Sequence, residues 1–513
     1  MKSPNASLVF TIPKNMGSKK ILSEIAGRFL MRTSPQRSLH LHYYETFDWR
    51  LYDEGLALLH DGQEYRLANL QTEAVVLSCR APSGARFWWD FPQGTFQDRL
   101  RGILEERAVL PLGEIEVRVR NGVVMNSDDK TVARLCIEEG RGRNTKQDTG
   151  KIRTVKIVPV RGYVKEMLAL SLFLQKAGLS PTAESIVQII AQANGRKPGD
   201  YTSKLKLRLE HSMTAQEAAG AIYRYLLDII ERNVHGIRED IDTEFLHDFR
   251  VAVRRTRSAL SQIKGILPKE VSDPYGAEFA QVGRSTNRLR DLDVYLLSGD
   301  RYRAMLSEDL ASALDPLFDE LAAERKREHR AVVRMLSGRR YRDLVKNWKK
   351  TLDAFGSTAL DAKRAEAPVM KVAERMIARR YARVMTAGGR IDDQSPDTDL
   401  HQLRISCKKL RYLLEFFASL HPPDKTGQLI KQLKKLQDNL GEFNDLSVQQ
   451  TDLKSFLDKP DAQRSAVSSA AIGALIAKLE NRQKEVRREF AGVFQAFASS
   501  NNVDRFRKLF HIK

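Results

Sequence analysis

Cysteine is scarce in this chain: there are three in 513 residues, Cys79, Cys136 and Cys407, far apart in sequence. Three scattered thiols make neither a disulfide framework nor a metal cluster, and they point to a reducing compartment. Long apolar runs are missing as well. The opening stretch, MKSPNASLVFTIPKNMGSKK, holds no apolar signal segment. No later run approaches the ~20 residues needed to cross a bilayer. The expectation is a cytoplasmic protein with no membrane partner. Acidic side chains are the third shortage. Against 85 basic residues stand 65 acidic ones, a net charge of +20. An anionic partner is therefore expected rather than a cation. The excess is spread along the whole chain, so total charge does not locate a site and pattern must.

What is present reads as a globular protein. The chain is 42% apolar and 29% charged, and its length allows two to four domains. Residues 1–200 read as an α+β domain. GEIEVRVRNGVVM alternates, with Ile115, Val117 and Val119 on one face and Glu114, Glu116, Arg118 and Arg120 on the other. That period predicts a half-buried strand. KTVARLCIEEG and KIRTVKIVPV are predicted strands, with GRGRNTKQDTG a polar loop between them, and SPTAESIVQIIAQA is predicted to be a helix with Pro181 in its first turn. A linker is expected over 201–211. Past it, Thr214 and Glu217 form a capping-box pattern. Residues 212–505 then read as all-helical, rich in Ala, Leu, Arg, Lys and Glu.

The helical region repeats itself. LHDFRVAVRRTRSALSQIKGILP from Leu246 overlays LHQLRISCKKLRYLLEFFASLHP from Leu400 at an offset of 154. RDLDV, ending at Val294, overlays NDLSV, ending at Val448, in the same register, so that Asp291 falls on Asp445. One register kept across two separate motifs implies a duplication, with repeats around 246–302 and 400–453, and so two helical bundles related by a pseudo-twofold.

On a helical wheel His247, Arg250, Arg254 and Arg257 fall within an arc of roughly 80°. Arg255 is expected to extend that face. Leu246, Phe249, Val253, Leu260, Ile263 and Leu267 lie opposite. The second copy places His401, Arg404, Lys408 and Arg411 in the same way, against Leu400, Leu403, Cys407, Leu410 and Leu414, and Lys409 stands where the first copy has Arg255. Pro268 and Pro422 are expected to stop both helices. Each helix thus carries a cationic ridge roughly 15 Å long. Stacking like charges at i and i+4 costs helix stability, and doing so twice suggests a use. If the ridges converge, they line one trough for an extended polyanion, held by arginine forks and lysine point charges.

Blander readings stand beside this one. A basic helix face is ordinarily just solvated, and a histidine of this kind is more often hydrogen-bonded than metal-bound. Neither His247 nor His401 has a second ligand at i+4, so no metal and no cofactor is expected. Asp291 and Asp445 are expected to orient nearby arginines or cap helices rather than to act in catalysis. For Arg379, Arg380 and Arg383 the sequence leaves two options open, extending the trough or facing solvent.

At these residues the chain resembles the CHAD family of histidine-containing α-helical domains. LHDFRVAVRRTR with RDLDV, and LHQLRISCKKLRY with EFNDLSV, carry the resemblance over roughly 212–505. It implies two helical bundles around a basic surface that binds inorganic polyphosphate, often at polyphosphate granules. By position, the implied binding residues are His247, Arg250, Arg254, Arg255, Arg257, His401, Arg404, Lys408, Lys409 and Arg411. One departure is Ser258 where the second copy has Tyr412, which makes the halves unequal. The first 200 residues are similar to the CYTH family, the triphosphate-tunnel fold, in YYETFDWRLYDEGLALLHDG and VKIVPVRGYVKEMLALSLFL. This implies an antiparallel, barrel-like sheet. The family's ExExK motif is missing from SLVFTIPKN on the first strand. Glu114, Glu116 and Arg118 spell ExExR on a mid-domain strand, where an alternating charged face accounts for them. A polyphosphate-binding protein without catalytic residues is the leading expectation. A metal-dependent triphosphatase using Glu114 and Glu116 is the alternative. Nucleic-acid binding is the third reading; it is disfavoured because Tyr412 is the one obvious aromatic on the ridges for base stacking.

Overall fold

The computed structural model describes residues 7–143, 151–182, 184–355, 364–458 and 465–512. The chain divides into two compact units, Met1–Thr202 and Ser203–Lys513.

The first unit is built on an antiparallel sheet of ten strands: β1 (Leu8–Thr11), β2 (Leu30–Thr33), β3 (Arg37–Thr46), β4 (Leu56–His60), β5 (Tyr65–Asn69), β6 (Val75–Cys79), β7 (Val109–Met125), β8 (Thr131–Arg143), β9 (Lys151–Pro159) and β10 (Ser180–Thr182). Their order is β10-β1-β9-β8-β7-β3-β4-β5-β6, and β2 pairs with β7. The alternation read in GEIEVRVRNGVVM is the reason β7 can sit at the centre. Ile115 and Val117 are fully buried against the helix Ile186–Ala193, while Glu116 and Arg118 face outward. Core also forms where the helices Val164–Lys176 and Thr95–Leu104 pack, around Leu170 with Val155 and around Leu100 with Leu58. The Glu45–Thr46 pair of the YYETFDW segment has a local task. The buried Glu45 carboxylate accepts the backbone N–H groups of Leu51 and Tyr52 at 3.0 and 2.8 Å. Burial nonetheless pushes its pKa up to about 7.

Two expectations for this unit change. Pro181 lies in β10, paired with Phe10 of β1, and the helix begins later. Ser185 caps it at Gln188, a box that sets the first helical residue, Ile186, five residues beyond the proline. Of the expected loop GRGRNTKQDTG, residues 140–143 continue β8, and 144–150 lie outside the described residues.

The second unit is helical. A first flanking helix, Ala215–Arg238, starts at the Thr214–Glu217 capping box. The first repeat helix, Thr243–Gln262, is capped by Asp242, whose carboxylate accepts from the N–H groups of Glu244 and Phe245. Two shorter helices follow, Lys269–Ser285 and Asn287–Leu297, and then Asp315–Ser337 and Arg339–Ala354. The second copy has a flanking helix Val369–Gly388, a repeat helix Asp397–Phe416 and one long helix Pro423–Leu457. The two repeat helices keep the 154-residue offset at both ends. The flanking helices start side by side: Ala215 N–H donates to the Ala367 carbonyl at 2.8 Å, and Val369 N–H to the Met213 carbonyl at 3.1 Å. These reciprocal contacts sit where a twofold would place them. Gly236 belongs to the same packing, since any Cβ there would meet the Phe245 ring at 2.2 Å.

The prolines do not stop the repeat helices. These end at Gln262 and Phe416, and Pro268 and Pro422 instead cap the helices that follow. Their fixed φ suits a helix start as well as it breaks one.

Candidate functional site

The apolar sides of both repeat helices are buried, with Phe249, Leu403 and Leu410 fully so. That leaves each cationic ridge on the remaining face. The two helices pack on one another. Gln262 Nε2 donates to the Lys409 carbonyl at 3.2 Å, and Arg254 Nε donates to Tyr412 Oη at 2.7 Å. Tyr412, the residue that breaks the repeat against Ser258, is buried. It holds an arginine of the other copy in place.

Between the ridges lies a cavity of about 1270 Å³. His247, Arg250, Arg254 and Arg257 line it from the first copy, and His401, Arg404, Lys408 and Lys409 from the second. The structure thus brings eight of the ten candidate residues to one space. Arg255 and Arg411 are not among the lining residues. Arg255 is 100° round the helix from Arg254, and its guanidinium turns to Glu415 at 2.7 Å and to the Ser203 carbonyl at 3.0 Å. Arg411 is drawn to the same carboxylate, four residues on, at 3.3 Å. The wheel placed both on the ridge because it carries no information about the neighbouring helix.

Inside the cavity the cations are crowded. Burial lowers the Lys408 ammonium to about 7, and Arg254 and Arg404 push in the same direction. Burial takes Arg250 down to about 10, with Asp291 opposing. Arg404 is lowered too, chiefly by burial. Charges in such surroundings gain from an anion that replaces lost water. Asp291 and Asp445 offset part of that crowding, raising Arg250 and Arg404 respectively. Asp445 takes a contact from Arg404 Nη2 at 3.3 Å and one from Asn444 Nδ2, while His401 Nδ1 lies 2.7 Å from Asn444 Oδ1. In the first copy Arg250 Nη1 donates instead to Thr286 Oγ1 at 2.9 Å and to the Gly283 carbonyl at 3.2 Å.

Further cations adjoin this cavity. A second cavity of about 350 Å³ shares Ser261 and Lys409 with the first and is lined by Arg364, Arg375, Arg379, Arg380 and Arg383. Arg364 and Arg375 escaped the sequence reading. The spacing of Arg375, Arg379 and Arg383 at i, i+4 and i+8 was the available signal, but the basin is assembled from three distant segments.

In the sheet unit, Glu116 is exposed and Glu114 faces His40 at 3.5 Å and His42 at 3.4 Å. Among the described residues these three are the group whose donors could hold a metal ion, all within 4.8 Å of one another. Two strand histidines two apart point the same way, and the carboxylate comes from the neighbouring strand.

Residues 221–454 match the model of the CHAD domain family. Among solved structures, the chain is similar to the CHAD domain from the plant Ricinus communis, at 25% identity with a TM-score of 0.49, covering 57% of this chain and 96% of that one. It is also similar to PptA from Streptomyces chartreusis, at 17% identity with a TM-score of 0.44, covering 55% of this chain and 100% of that one. No curated protein matches it. No described helix is long and apolar enough to cross a membrane. The duplicated helices and the cavity they share thus lie within residues 221–454, and that stretch of the chain is a CHAD domain.

Proposed function

We propose that this protein binds inorganic polyphosphate in the cavity between its two repeat helices. One observation carries the reading: two ridges far apart in sequence, each led by a histidine, line the same cavity. Arginine forks suit the paired oxygens of a phosphate, and a half-buried lysine supplies a point charge. A linear chain with a charge at every unit matches two ridges running along helices. Location at polyphosphate granules in the cytoplasm goes with this reading. The test is a titration of the full chain with long-chain polyphosphate at two salt concentrations. Affinity is expected to fall steeply with salt, as counterions are released, an argument carried over from nucleic acids. Salt-independent binding, or single-stranded RNA displacing polyphosphate at equal concentration, overturns the reading.

A second reading rests on the His40, His42 and Glu114 donors. A divalent ion there is the kind of centre that a phosphate-releasing activity needs. Phosphate release from tripolyphosphate with added Mn²⁺, abolished by Glu114→Gln, is the result that favours it.

A further inference from the structure

The two flanking helices present different side chains at one duplicated position. In the first copy, the groove beside the flanking helix is occupied by the chain's own residues 203–209. Tyr225 Oη donates to the Lys204 carbonyl at 2.8 Å and accepts from Lys206 N–H at 3.3 Å. Arg255 holds the Ser203 carbonyl, and Leu209 N–H donates to Ser419 Oγ at 2.8 Å. Along the second flanking helix, Val369–Gly388, lies the cavity of about 350 Å³. At the repeat offset, Tyr225, Leu226 and Ile229 become Arg379, Arg380 and Arg383.

Arg380 Nε donates to Gln262 Oε1 at 3.1 Å, while the outer arginines of the helix crowd one another. Arg375, Arg379 and Arg383 are exposed and follow one another at i, i+4 and i+8, a spacing at which like charges destabilise a helix. Among the described residues no carboxylate lines this cavity. Burial and the neighbouring arginines depress Arg380, and Lys409 is lowered by burial and by Arg380 and Arg383. The charge continues outward. Arg379 and Arg383 also line a third cavity, of about 520 Å³, that ends at Arg390. Lys409 joins the central cavity to the second, and the two arginines join the second to the third.

We propose that the arginine face of the second flanking helix is a polyphosphate subsite continuous with the central cavity, so that a long chain leaves the cavity past Lys409 and runs on towards Arg390. This rests on the polyphosphate reading and sets its chain-length preference. The site is one-sided, because the first flanking helix carries Tyr225, Leu226 and Ile229 where the second carries Arg379, Arg380 and Arg383.

The experiment compares tripolyphosphate with long-chain polyphosphate on the full chain, wild type and the triple variant Arg375→Ala, Arg379→Ala, Arg383→Ala. All three side chains are exposed and mutually repulsive, so the variant is expected to fold with unchanged or higher thermal stability. The expected result is a loss of about tenfold or more for the long chain, a salt slope shallower by about two to three, and unchanged tripolyphosphate affinity. An equal loss for both ligands, or no loss for either, overturns the subsite and leaves the central site standing. Wild-type protein that binds neither ligand overturns both. A second variant, Arg379→Glu with Arg383→Glu, must weaken long-chain binding further; if it does not, the subsite is likewise excluded.

Discussion

In the first copy of the repeat, Arg250 is anchored to Thr286, at the break between Lys269–Ser285 and Asn287–Leu297. In the second copy the corresponding helix, Pro423–Leu457, runs unbroken, and Arg404 reaches Asp445 instead. Gly283, whose carbonyl also takes Arg250, is replaced at the repeat offset by Gln437, which donates to the Cys407 carbonyl at 2.6 Å. Ser258 becomes Tyr412, and Ser261 becomes Glu415. Duplication preserved the helix that bears the cations. It did not preserve what holds them. The first copy fixes Arg250 on a backbone carbonyl and a hydroxyl, while the second fixes Arg404 on a carboxylate.

The largest expected effect tests whether the halves act as one site. Replacing Arg254, Arg404 and Lys408 together by alanine removes cations from both copies, and should cost about a hundredfold or more in polyphosphate affinity. Circular dichroism should show the helices intact. Single replacements that each abolish binding of their own half, with the other half unaffected, break the picture of a shared cavity.

A smaller effect sharpens the contrast through pH. Lys408 has no counterpart lysine, since Arg254 stands at its place in the first copy. With its pKa lowered to about 7, Lys408 is charged below that pH and must take up a proton to meet an anion above it. Affinity should therefore fall as pH rises past 7, by up to about tenfold per unit. The same shift acts on folding with the opposite sign. Between about 7 and the ordinary lysine range the unfolded chain binds more protons, so the unliganded protein gains stability as pH rises. Lys408→Arg should flatten the affinity profile, because arginine stays charged throughout. Isothermal titration in two buffers of different ionisation enthalpy reads the proton uptake directly.

The smallest effect on binding is expected at Arg255. Arg255→Ala should leave polyphosphate affinity unchanged within about twofold, yet destabilise the fold by roughly 3 kcal/mol in denaturant melts, as it removes a buried partner of Glu415. A loss of affinity at full stability returns Arg255 to the binding residues.

Much of this was legible in the residues. The constant offset of LHDFR and LHQLR was enough to infer two equivalent helices, because a register held over two motifs survives ignorance of everything between them. Period-two alternation was enough for β7. What escaped depended on neighbours distant in sequence. A wheel ranks Arg255 and Arg411 by angle alone and is blind to Glu415, which captures both. Pro268 and Pro422 were read as ends because proline is equally compatible with a beginning. The basin at Arg375, Arg379 and Arg383 required the second flanking helix, the end of the first repeat helix and Lys409 to meet, and no single stretch encodes that meeting.

Residues 203–209 have a consequence for dissecting the molecule. They precede the stretch matched by the family model, which begins at residue 221, yet they are seated in the helical unit through Arg255, Tyr225 and Ser419. An excised fragment starting at 221 would lack its own plug. It would bare a buried arginine and an apolar flank that the intact chain never shows to solvent. A fragment starting at 203 keeps that wall, and only such a fragment reports what the helical unit does by itself.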